Sequence, residues 1–172
     1  MVVMKKMSNY KNLPDLQLAI LRIYIGIDFI HHFSEKFGLL GFDAKQNVMN
    51  YFTSIGMSST LVIVAGLCEF VAFLCFTFGI LTRCASLFTF FYLIVSLFAW
   101  HHYQAGFTWA NSVNNIMING KLQVVNGGWE YPLLWAIVCL SFVITGGRKW
   151  SLDSKIRLFL KNNPKKITPS VI

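Results

Sequence analysis

The sequence predicts an all-α membrane protein, a four-transmembrane-helix bundle with an outer amphipathic helix and a small β-hairpin in the third connection. Three observations carry this. The 172 residues are 55% hydrophobic, 16% aromatic and only 13% charged, with a mean hydropathy of +0.56, which leaves too few charges to cover a soluble domain. Four apolar segments approach the roughly 20 residues that cross a hydrocarbon core. The net charge of +8 gathers at the chain ends rather than along one face, which argues against a nucleic-acid partner.

The first span is expected over about Asp15 to Phe37, with Pro14 near its first turn, where the missing N–H costs nothing. The second covers about Ser59 to Leu81 and the third about Cys84 to Tyr103; with only Thr82 and Arg83 between them, they are expected as antiparallel neighbours. The fourth, about Tyr131 to Gly146, opens on Pro132 and stops at Gly146-Gly147. The first outer connection carries Val48, Tyr51, Phe52 and Ile55 at helical spacing, an amphipathic helix over Phe42 to Ile55. The second holds Asn119-Gly120 between apolar runs, a hairpin signal, and such a ribbon would either lie as a lid over the outer end or stand as an idle surface hairpin. After the bundle, Ser151 to Lys161 mixes Leu152, Ile156, Phe159 and Leu160 with Lys and Arg, a short helix suited to anionic headgroups. The organisation is then a cytoplasmic segment 1–14, a transmembrane domain 15–147 and a basic cytoplasmic tail 148–172.

Orientation follows from the basic residues. Lys5, Lys6, Lys11, Arg83 and seven of the tail lie on one side, eleven in all, against Lys36, Lys45 and Lys121 on the other. This bias places both termini in the cytoplasm of a multi-pass protein of the bacterial inner membrane. The apolar run after the basic start lacks a small-x-small cleavage site, so it is expected to stay in the mature chain. Cys68, Cys75, Cys84 and Cys139 form no C-x-x-C pair and read as small buried hydrophobes.

Ionisable residues inside spans are where function should show, because each costs roughly 2.5–3.5 kcal/mol at mid-bilayer. Tyr24, Asp28, His31 and Glu35 recur at helical spacing with His32 beside them, and the five share a sector of about 100° on the first span. Such a face is expected to look into the protein. Glu69 stands alone in the second span, at a depth similar to that of Asp28, with Arg22 as a candidate partner. The third span ends outward in Trp100-His101-His102-Tyr103, and Glu130 opens the fourth. The ligand or proton-relay candidates are therefore Tyr24, Asp28, Glu69 and Arg22, and the metal candidates His31, His32, Glu35, His102 and Glu130. Interfacial anchoring by the His pair, helix capping by Glu130 and a structural pair for Arg22 are the alternatives that stay open.

Leu21-Arg22 with Gly26, Glu35-Lys36, Ala65-Gly66-x-x-Glu69, Phe78-Gly79-x-x-Thr82-Arg83, His102 with Gly106-Phe107, Gly128-x-Glu130-Tyr131-Pro132-Leu133 and Gly146-Gly147-x-x-x-Ser151-Leu152-Asp153 together resemble the DoxX family. The likeness runs from about Leu18 to Asp153. It implies a small four-helix bacterial membrane protein, from a family whose relative DoxD is associated with a thiosulfate:quinone oxidoreductase and whose other members are linked to membrane oxidoreductase complexes. The Asp28, His31 and His32 stretch is more polar than the family pattern, and Asn119-Gly120 lengthens a loop.

Three functions stay open at this point. One is a subunit of a quinone-linked membrane redox system, with Glu69, Asp28 and one His relaying protons and Phe29, Phe73, Phe91 and Tyr92 holding the ring. Another is a metal or haem binder, with iron, copper or zinc as the candidate ions. The last is a non-catalytic anchor for a redox or peripheral protein, as a monomer or a homodimer. No nucleophile triad, phosphate loop or dinucleotide motif is present.

Overall fold

A computed structural model describes residues 12–99, 113–118, 120–126 and 128–163. In chain order these form α1 (Leu13–Phe37), α2 (Phe42–Ser54), α3 (Thr60–Phe78), α4 (Thr82–Ala99), the strands β1 (Val113–Ile118) and β2 (Lys121–Asn126), α5 (Glu130–Thr145) and α6 (Leu152–Asn162). Pro14 sits in the first turn of α1, and the helix ends on Gly38 in the left-handed region, whose N–H reaches back to the Glu35 carbonyl. β1 and β2 pair antiparallel from Val113 opposite Asn126 to Ile118 opposite Lys121. The turn includes Gly120 at φ 75°, the backbone that the Asn-Gly signal anticipates.

α1, α3, α4 and α5 meet around one core in which Ile25 and Phe29 of α1, Ala72 and Phe76 of α3, and Cys139 and Phe142 of α5 are buried, with Phe90 and Leu93 of α4 against them. The packing is organised as two tight pairs, α1 with α3 and α4 with α5. The two spans joined by Thr82-Arg83, expected as antiparallel neighbours, do touch, but far more sparsely than either of these pairs. The reason lies in the small residues. A Cβ on Gly26 would fall 2.8 Å from the Thr77 backbone nitrogen, so only glycine lets α1 and α3 approach this closely. On the other pair, α4 buries Thr82, Ser86 and Thr89 and α5 buries Ala136 and Cys139, all five at most 1% exposed. Small side chains at helical spacing bring backbones together where large ones would hold them apart.

α3 and α4 are each long and apolar enough to cross a membrane, and only 28% and 22% of their most apolar windows are buried. The core helix of a soluble protein would be mostly buried. Here the outer surfaces carry Leu61, Val64, Leu67 and Val71 on α3 and Phe88, Phe91, Val95 and Phe98 on α4, a surface matched to hydrocarbon rather than water. α5 is shorter and also apolar.

Candidate functional site

α1 carries three stripes. Arg22, Ile25, Phe29, Phe33 and Lys36 are buried, while Leu16, Ile20, Ile23, Ile27 and Ile30 are exposed and apolar. Tyr24, Asp28, His31, His32 and Glu35 form the third. The expectation that this polar face looks into the bundle is overturned. Tyr24 is 56% exposed, and the side chains of His31 and His32 are 66% and 45% exposed. The inward positions are taken by large apolar rings, and the polar residues fall one step around the helix, along its border with α5. There Tyr24 stacks on Trp135 with ring centroids 5.7 Å apart, and the Tyr131 hydroxyl approaches Asp28 at 3.4 Å. His31 Nε2 lies 3.2 Å from Glu35, and His32 Nε2 lies 4.0 Å from Asp28. Both are contacts one turn apart on α1.

The buried charges form a different constellation. Lys36, counted from sequence as an outer-side charge, turns inward, and its ammonium lies 2.9 Å from Oε2 of Glu69, with both side chains 6% exposed. The Tyr92 hydroxyl donates to the other carboxylate oxygen at 2.7 Å, so α1, α3 and α4 each supply one member. The ammonium also donates to the His32 carbonyl at 3.2 Å. Such a set satisfies a carboxylate in a low-dielectric interior by one counter-charge and one neutral donor.

Arg22 does not pair with Glu69, the alternative weighed from sequence. Its guanidinium donates to the carbonyls of Phe76 and Thr77 at the C-terminal end of α3 and to that of Trp150, the last at 2.8 Å. The helix offset explains this. Gly79 lies against Arg22, and Gly66 against Lys36 and Phe37, so α1 and α3 run antiparallel with Glu69 roughly 15 Å along α3 from the Arg22 level. The same offset sets Asp28 nearer than Glu69 to the Arg22 end of the bundle, rather than level with it.

Around Arg22 the chain builds a lock that sequence reading did not find. The Asp153 carboxylate accepts from the Leu81 and Thr82 N–H groups at 2.7 and 2.8 Å and so caps α4 from 71 residues away. The Asp153 N–H donates to the Gly79 carbonyl at 2.9 Å. Gly79 has φ 68°, and a Cβ there would meet Ser151 at 2.5 Å and Arg22 at 2.7 Å. A Cβ on Gly147 would strike Ser151 and Thr82. The glycines and Asp153 of the terminal motif are therefore explained by close packing and capping. The combined spacing of Gly79, Thr82 and Ser151-Leu152-Asp153 was the signal that could have found it.

Glu130 opens α5 in its first turn, half-buried. His102 lies outside the described residues. Among the described residues, no three His, Cys, Asp or Glu side chains stand together as a metal-binding group.

A helix bundle whose outer faces are matched to hydrocarbon is the architecture of a small helical membrane protein. The DoxX family model matches residues 17–102, half of the chain, from the first turns of α1 through the end of α4. The chain belongs to the DoxX family. No curated protein and no solved structure matches it.

Proposed function

We propose that this DoxX protein is a four-span protein of the bacterial inner membrane, both termini cytoplasmic, that serves as a quinone-linked subunit of a membrane redox system. The observation that carries the reading is the polar stripe of α1. Asp28, His31, His32 and Glu35 are half-exposed beside the apolar row Ile20, Ile23, Ile27 and Ile30, where bare lipid would be a costly neighbour. An amphiphile with a polar ring and an apolar tail fits such a border. Tyr24, Trp135 and Tyr131 supply flat apolar walls for the ring, Asp28 and His32 supply proton-exchanging groups at its edge, and the isoleucine row continues as a track for the tail.

A quinone supplies two-electron, two-proton chemistry. This chain's residues hold the ring and exchange protons at its oxygens, while the Lys36–Glu69–Tyr92 set lies on the inward side of α1 as a second protonatable group. A metal ion is the second reading on the same stripe, favoured by the paired N and O donors of His31 with Glu35 and of His32 with Asp28.

The test is photolabelling of the full chain in lipid nanodiscs with an azido-quinone. Label is expected on peptides spanning Tyr24–Glu35 and Tyr131–Trp135, competed by unlabelled quinone. Asp28→Asn and His32→Gln should reduce it by about 10-fold or more, the loss of a hydrogen bond to a charged or proton-exchanging group. Label that neither competitor nor substitution reduces would refute the reading.

A further inference from the structure

We infer that α6 is an interfacial helix that binds the anionic phospholipid headgroups of the leaflet it faces; this rests on the membrane placement proposed above and adds a lipid partner to it. No residue of α6 is buried. Leu152, Ile156, Phe159 and Leu160 are all exposed, and at 100° per residue they share a sector of about 100°. Lys155, Arg157 and Lys161 are exposed around the rest of the helix, with Leu158 the one exposed apolar residue among them.

The helix holds a single acid, Asp153, and that carboxylate is occupied by the Leu81 and Thr82 N–H groups. What α6 offers outward is therefore cationic and apolar together. Its starting point matters as much as its composition. Ser151 and Asp153 fasten the first turn to the Gly79–Thr82 turn that joins α3 to α4. That turn ends two apolar helices and exposes Phe78 and Leu81, with Trp150 exposed nearby. α6 thus begins at the depth where hydrocarbon gives way to headgroups, the layer in which a basic amphipathic helix is stable. Each basic residue held near an anionic surface contributes favourably and is weakened by salt.

Hydrogen–deuterium exchange of the full chain in nanodiscs tests this, with phosphatidylcholine alone or mixed with phosphatidylglycerol. Exchange across Leu152–Asn162 should slow on the order of 100-fold in the mixed discs at low salt, from three basic residues, and the gain should shrink as salt is added. A Lys155→Gln/Arg157→Gln/Lys161→Gln variant should lose that gain, and Ile156→Ser/Phe159→Ser should speed exchange in both lipids. Inorganic phosphate added to phosphatidylcholine discs should not reproduce the protection. Equal exchange of α6 in both lipids, with α3 and α4 protected, would overturn the inference alone. Rapid exchange of α3 and α4 in discs would instead overturn the spanning placement on which it rests. Phosphate-induced protection would reassign the site to a soluble anion.

Discussion

Replacing Lys36 by Met should strand the Glu69 carboxylate. The ammonium stands 2.9 Å from Oε2 with both side chains 6% exposed, and Tyr92 is the remaining donor to the carboxylate, at 2.7 Å. Removing one partner of a buried pair costs about 3–5 kcal/mol, because the other charge stays desolvated without compensation. The Tyr92 hydrogen bond offsets part of that, so Lys36→Met should fall near the lower end. Glu69→Gln should cost less again. Lys36 lies in the last turn of α1, and its flexible stem can carry the ammonium toward the outer surface. The double variant removes both charges while the amide still accepts from Tyr92, and should lie within about 1 kcal/mol of wild type, giving a coupling energy of about 3 kcal/mol. Reversible unfolding in mixed micelles, followed by tryptophan fluorescence, measures all four corners of the cycle. Wild-type stability should respond little to salt, because a pair excluded from water is poorly screened. Single substitutions that each cost under about 0.5 kcal/mol and simply add would refute the reasoning.

Gly79→Ala should destabilise by about 3 kcal/mol or more, combining a left-handed backbone at φ 68° with a Cβ 2.5 Å from Ser151; a thermal shift within error would show that the lock yields easily. Asp153→Ala should cost about 1–2 kcal/mol by uncapping α4, with Asp153→Asn milder because one acceptor remains; the same unfolding titration ranks them. Reporter fusions after Asn162 should be active only with a cytoplasmic reporter and fusions near Asn119 only with a periplasmic one, and the reverse pattern would invert the proposed topology. His31→Ala with His32→Ala should abolish bound iron, copper or zinc if the stripe is a metal site, whereas equal content in both proteins by elemental analysis would remove the metal reading.

The helical elements were legible because their signals are local. Pro14, the Pro132 turn, the Gly146-Gly147 stop and the apolar lengths between them specify where helices begin and end, and α1, α2, α3, α5 and α6 lie within a few residues of expectation. The Asn119-Gly120 pair located the turn between β1 and β2 for the same reason. The grouping of Tyr24, Asp28, His31, His32 and Glu35 on one face also followed from periodicity, because 100° per residue is a property of the helix alone.

Only the tertiary structure decided which charge meets which. Periodicity places residues around a helix's own axis but carries no information on its roll toward a neighbour or its offset along it. The roll turned the polar stripe to the α5 border, since Ile25, Phe29 and Phe33 bury more apolar surface inward. The offset followed from glycines distant in sequence, Gly26 against Thr77, Gly66 against Lys36 and Gly79 against Arg22. Those contacts carried Lys36 to Glu69 and Arg22 to the carbonyls at the far end of α3. A shift of α1 along α3 by two helical turns would have moved Lys36 and Arg22 to other partners with no change in any local pattern.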